Sequence, residues 1–266
     1  MKKEIKLLAI GNSFSVDALQ YFYQIASSLG INDIIIGNLY IGSCSLETHL
    51  NNILNKLPKY TYYSNTNGEW VEHVEHTVND AILEQKWDYI SFQQVSSLSG
   101  VESSYNETLL QLVDEVKSLF LSKDNPNRNE NVKFIWHMTW AYQQDTTHPG
   151  FVNYNNNQLE MYHSIINSVK SKILSNKDFE IIIPNTTSVQ NARTSFLGDT
   201  LTRDGFHMSY DLGRYLTGLM FFKQLTNIEI DNIDYCPETI SEEAKQICIK
   251  AVNAAYKNPY EITNLK

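Results

Sequence analysis

Three side chains in this 266-residue sequence have the types and settings that acyl transfer needs: Ser13, Asp204 and His207. Ser13 closes the stretch Leu7-Leu8-Ala9-Ile10-Gly11-Asn12-Ser13, an apolar run ending in a glycine turn and opening into a helical pattern. A serine hydroxyl is a weak nucleophile until a base takes its proton. The stretch Thr202-Arg203-Asp204-Gly205-Phe206-His207-Met208-Ser209 offers that base and its partner. Asp204 and His207 stand three apart; in a helical turn this spacing puts both on one face, so the carboxylate can orient the imidazole. His207 is then the general base for Ser13, and Asp204 holds its tautomer.

Such a nucleophile must be delivered by a rigid element. A parallel strand buried on both faces reads as a near-continuous apolar run, which Ile5 to Ile10 supplies, and Gly11 permits an abrupt turn at its carboxyl end. Ligands of open α/β sheets sit at those ends. At the start of the following helix, backbone N–H groups face developing negative charge. Further apolar runs at Ile34–Tyr40, Trp87–Phe92, Val132–His137 and Glu180–Ile183 alternate with amphipathic stretches at 16–29, 77–85, 106–121, 158–174, 186–196 and 208–225. The alternation predicts an α/β fold: a three-layer α/β/α sandwich around a flavodoxin-like parallel sheet of about five strands. Residues 60–73, turning at Asn67-Gly68, read as a β-hairpin inserted in a crossover. Thr239-Ile240-Ser241-Glu242 reads as a capping box opening a helix in the extension 228–266. A single domain over residues 1–266 accommodates all of these.

The serine and Asp-x-x-His blocks resemble those of the SGNH (GDSL-type) hydrolase superfamily. Gly11-Asn12-Ser13-Phe14-Ser15, Trp140-Ala141-Tyr142, Gln190-Asn191-Ala192-Arg193 and Arg203-Asp204-Gly205-Phe206-His207 are similar to motifs of its DUF4886 group. The resemblance implies an SGNH fold, no cofactor, and an oxyanion hole in which the N–H groups of Ser13 and Gly42 take part. SGNH enzymes add an asparagine after the third strand. This sequence has Gln93-Gln94 there instead, and strand alternation lets only one of them point into the site: Gln93 is the expected third donor with Gln94 the alternative, Gln94 otherwise lying beside the substrate. The resemblance also implies an ester substrate.

Other residues narrow the function. Trp140 and Tyr142 lie among carboxamides in Met138–Gln144, a composition suited to sugar rings and their hydroxyls, although Trp140 suits the core equally and Trp136 suits it better. Together with the resemblance they point to an O-acetyl ester of a carbohydrate. Arg203 either braces the histidine loop or holds an anionic group. The Asn- and Thr-rich stretch 145–157 is a candidate lid, within which His148 is expected to be exposed. His73 and His76 lack a third ligand at metal spacing, so no metal is expected.

The formal charge of −9 disfavours nucleic acid, and no run reaches membrane-spanning length. Cys44, Cys236 and Cys248 are odd in number and widely spaced, which suits a reducing compartment, and Lys2-Lys3 runs into the first strand without a cleavage pattern. The expectation is a cytoplasmic esterase acting on a small-molecule or oligosaccharide ester. The competing reading is a non-catalytic glycan-binding protein on the same scaffold. A nucleotide binder of similar strand order is disfavoured, because no second or third glycine follows Gly11 at phosphate-cradling spacing.

Overall fold

The structure, a computed structural model, describes residues 4–266. In chain order its main elements are β1 (Glu4–Gly11), α1 (Ser13–Leu19), α2 (Phe22–Ser28), β2 (Asp33–Tyr40), α3 (Leu46–Leu54), β3 (Tyr60–Asn65), β4 (Trp70–His76), α4 (Val78–Glu84) and β5 (Tyr89–Phe92). There follow α5 (Asn106–Phe120), β6 (Lys133–His137), α6 (Gln158–Ser168), β7 (Phe179–Ile183), α7 (Asn185–Arg193), α8 (Leu212–Thr226) and α9 (Glu242–Lys257).

Among the described residues seven strands form one sheet in the order β4-β3-β2-β1-β5-β6-β7. From β2 to β7 every pairing is parallel, which is the flavodoxin-like arrangement the apolar runs predict. The hairpin is no separate flap: β3 pairs antiparallel with β2, so the inserted strands lengthen the sheet at that edge. Helices α1, α2 and α8 pack together, and α3, α4 and α5 form a second group. Between them, β1 buries Leu7, Leu8, Ala9 and Ile10 almost completely, as a strand covered on both faces must.

Several boundaries differ from the expectation for local reasons. The helix read over 16–29 is two, and the Gln20 carbonyl at the break accepts a hydrogen bond from the Trp70 indole of the hairpin (3.2 Å). The last helix is capped by Ser241, whose Oγ accepts from Ala244 N, rather than by Thr239. Thr239 instead bonds Asp211. The extension is stitched to α7 through Thr187 to the Pro259 carbonyl and Thr263 N to Asn191.

Register brings the chemistry to one place. Gly11 pairs with Tyr40 and Ile10 with Phe92, while Phe92 pairs with Trp136 and His137 with Ile183. The chain therefore leaves β2, β1, β5, β6 and β7 at nearly one level, with Gly42, Ser13, Gln93, Met138 and Asn185 all just beyond the carboxyl ends. No helix among the described residues is long and apolar enough to cross a membrane.

Candidate active site

Asn12 follows β1 and caps α1. Its Oδ1 accepts from Phe14 N (3.0 Å), and its carbonyl accepts from the N–H groups of Ser15 and Val16. Ser13 N–H is left with no acceptor among the described residues, and Ser13 lines a pocket. Gly11 is needed for close approach: a Cβ there would lie 2.3 Å from Ser15 Oγ.

Ser13, His207 and Asp204 meet. His207 Nε2 is 2.8 Å from Ser13 Oγ, and His207 Nδ1 is 2.6 Å from Asp204 Oδ2. An ionised carboxylate only accepts, so Nδ1 carries the proton and Nε2 is free to accept from the serine hydroxyl. Burial pushes the Asp204 carboxyl up. Hydrogen bonds from the His207 ring and from the N–H groups of His207 and Phe206 outweigh this and hold it below the usual range.

The Asp-x-x-His segment is not a helical turn, contrary to expectation. It is a tight loop closed by a bridge between Thr202 and Met208, and Asp204 Oδ1 accepts from His207 N (2.8 Å) and Phe206 N (3.2 Å). Gly205 takes φ +92 against Thr146, so the chain curls back sharply enough to meet the carboxylate, and α8 begins only at Leu212.

Asp17, one helical turn after Ser13, anchors this loop. Its side chain is 1% exposed and accepts from Arg203 Nη1 (3.0 Å to each oxygen), Arg214 Nε (2.8 Å) and Met208 N (3.0 Å). Tyr210 lies against both guanidinium groups. Arg203 thus braces the loop. Asp17→Asn leaves two arginines without their counter-charge and should destabilise the fold by about 3 kcal/mol or more. Denaturant unfolding checks this, and a loss below about 1 kcal/mol would contradict the anchor role.

A second brace runs across the strand ends. Asn185 Nδ2 donates to His137 Nε2 (3.0 Å), His137 Nδ1 to Gln93 Oε1 (2.9 Å), Gln93 Nε2 to Asn12 Oδ1 (2.8 Å), and Asn12 Nδ2 to the Cys44 carbonyl (3.2 Å). All of these side chains are buried. Each donates in the same direction, so the row fixes both the serine turn and the loop that carries Gly42. Burial lowers the His137 pKa to about 3 from an ordinary value near 6.5. Between those values the unfolded chain takes a proton that the folded protein refuses, so stability is lost as pH falls through this window. Thermal unfolding from pH 7 to pH 4 should show a steeper decline in the wild type than in His137→Gln; equal slopes would contradict it.

Four expected contacts are corrected by this geometry. Gln93 does not line the pocket as an oxyanion donor would: it is buried, its Oε1 accepts from His137 and its Nε2 donates one N–H to Asn12. Gln94 faces away from the pocket: its oxygen accepts from Leu46 N and Val95 N, and its nitrogen donates to Ser104. Both are buried, since both hold the loops that surround them. Trp140 is fully buried, stacked on Phe14 (4.3 Å between centroids) and donating to the Phe206 carbonyl (2.7 Å), so it ties the serine block to the histidine block. Tyr142 is also buried, with its hydroxyl 2.8 Å from Ser96 Oγ. Gln190 and Arg193 likewise serve the interior, with Arg193 donating to the Ala141 carbonyl and lying 2.8 Å from Asp199.

The pocket itself, of about 220 Å³, is lined by Ser13, Phe14, Tyr40, Gly42, Ser43, the segment 95–97, His148, Phe206 and His207. Asp17, Asn12, Phe206 and His148 are the residues that sequence reasoning missed. Asp17 had a signal in its i+4 spacing from Ser13, and Asn12 had one as a residue type favoured before a helix. The segment 145–157 is pinned rather than hinged, since Asn153 and Tyr154 both donate to the Ser97 carbonyl. Burial pushes the Cys44 thiol up to about 12, which makes it a packing group. His73 bonds Ser64 and His76 stacks on Tyr62; among the described residues no three His, Cys, Asp or Glu side chains cluster as a metal would require.

Comparison with solved structures places this architecture. A protein from Slackia heliotrinireducens described as "a putative SGNH hydrolase" shares the fold, with a TM-score of 0.50 and 15% identity over 84% of this chain and 99% of that one. The mostly parallel sheet with flanking helices resembles the fold of that protein. The chain belongs to the family described as "Domain of unknown function (DUF4886)", whose model matches residues 6–258. A DUF4886 family protein from Bacteroides uniformis is similar over 98% of both chains, with 40% identity and a TM-score of 0.92. No curated protein matches the chain.

Proposed function

We propose that this protein is a serine esterase that removes a small acyl group, most specifically an O-acetyl group, from a carbohydrate. The observation that carries the reading is the line from Ser13 Oγ through His207 to Asp204, with separations of 2.8 and 2.6 Å. Ser13 Oγ attacks the ester carbonyl while His207 Nε2 takes its proton, giving a tetrahedral oxyanion. The unpaired Ser13 N–H and the N–H of Gly42, across the pocket, are the donors assigned to that charge. His207 then gives the proton to the departing alcohol, leaving an acyl-serine. Water, deprotonated by the same imidazole, attacks the acyl carbon, and as the bond to Ser13 Oγ breaks His207 returns the proton to that oxygen and the acid is released.

A cavity of about 220 Å³ suits a short acyl group with part of an alcohol better than a long lipid chain. Its lining mixes aromatic rings with serine hydroxyls, which favours a polyhydroxylated alcohol. The test is a screen for acetate release from acetylated xylan, acetylated mannan and O-acetylated sialic acid, beside aryl esters. Release from one carbohydrate class is expected. Turnover of none of these esters would contradict the reading.

One observation favours the alternative of a non-catalytic glycan binder: Gln93 is buried against Asn12 and His137 and does not line the pocket in which the oxyanion would form. A fluorophosphonate probe separates the two, since only an activated serine is phosphonylated.

A further inference from the structure

We propose that His148, with the Phe206 ring, forms the subsite for the departing alcohol and donates an imidazole N–H to one of its hydroxyls. This deepens the esterase reading and rests on it. The sheet order puts the loop after β2, which carries Gly42, on one side of Ser13, and the loop after β6, which carries His148, on the other. The His148 ring lies 4.7 Å from Phe206, and Phe206 lies 4.2 Å from His207, centroid to centroid. His207 delivers the proton to the leaving oxygen, so the alcohol lies on the His207 side of the reacting carbon, where Phe206 and His148 form the wall.

The chemistry of His148 is set by its surroundings. Gly150 N donates to His148 Nδ1 (3.0 Å), so in the neutral ring the proton resides on Nε2. That nitrogen has no acceptor among the described residues, and nothing in the Ser13, His207 and Asp204 arrangement uses it. Burial, aided by nearby His207 and opposed by Asp204, lowers the His148 pKa and keeps the ring neutral. The ring is also held in place, packed between Tyr142 (4.7 Å) and Phe206. Its neighbour Gly150 is pressed so closely against the next loop that a Cβ there would lie 2.4 Å from Ser97 Cβ. A fixed N–H donor beside a half-exposed aromatic ring matches a sugar, which offers hydroxyl acceptors and an apolar C–H face. Trp140 and Tyr142, expected to touch the sugar, instead support the two residues assigned here.

The experiment compares kcat/KM for an acetylated xylo-oligosaccharide and for phenyl acetate. The two share an acyl group and hence an acyl-enzyme, but only the first leaves a polyhydroxylated alcohol. In His148→Ala the ratio of the sugar acetate to the aryl acetate should fall by about tenfold or more, the scale of a lost specificity hydrogen bond. His148→Phe, which keeps a ring in the packing, should lose the same ratio, and His148→Gln, which restores an N–H, should recover part of it. Phosphonylation of Ser13 by the probe reports that each variant keeps its site. An unchanged ratio in active variants overturns the role of His148 alone. A wild type that turns over neither ester and leaves Ser13 unlabelled removes the esterase reading and this proposal with it.

Discussion

Replacing Ser13 by alanine is expected to lower ester turnover by roughly four to six orders of magnitude, the range found when a serine nucleophile is removed and only binding and oxyanion stabilisation remain. The structure makes this a clean test. Ser13 occupies the first position of α1, where alanine is well tolerated, and its Oγ bonds only His207, whose ring remains tied to Asp204. The cap on α1 comes from Asn12, so the helix keeps its start. Stability should change by less than about 1 kcal/mol. A large loss of rate without a shift in melting temperature is therefore the expected pair of results. Retention of more than about a tenth of the wild-type rate would remove Ser13 as the nucleophile.

Asp204→Asn should cost about three to four orders of magnitude in kcat, for a different reason. Asparagine retains a side-chain oxygen, so the bonds from His207 N and Phe206 N survive and the loop keeps its shape. The other arm changes from acceptor to donor. An amide NH2 facing Nδ1 forces the imidazole to accept there and to carry its proton on Nε2, pointing at Ser13, where it can no longer act as a base. A loop set only by its backbone would show a loss below about tenfold, and that result would contradict the assigned role of Asp204. Steady-state kinetics on an aryl ester, with circular dichroism to confirm folding, separates the outcomes.

The two predictions draw on parts of the molecule that were unequally legible. The five parallel strands and the place of Ser13 could be read because β1, β5 and β6 are buried on both faces, and burial writes itself as apolar runs. The hairpin was visible through Asn67-Gly68, but its pairing with β2 is a long-range choice that no local pattern encodes. Asp204 and His207 were legible as a pair by spacing, while the loop conformation depends on Gly205 meeting Thr146, a contact between distant segments. Gln93, Gln94, Trp140 and Tyr142 look in sequence like polar and aromatic groups suited to a ligand. In space their polar atoms find partners on other elements, so they become the scaffold of the site. His148 shows the converse, since a histidine in a polar loop carries no local sign that Gly150 and Tyr142 will orient it toward the pocket.

An acyl-enzyme on Ser13 can be caught by quenching the protein during turnover of an aryl acetate and mapping the adduct by peptide mass spectrometry. One acetyl group is expected on the peptide containing Ser13, absent from Ser13→Ala. Turnover with no adduct at Ser13, or with the acetyl group on another side chain, would contradict it.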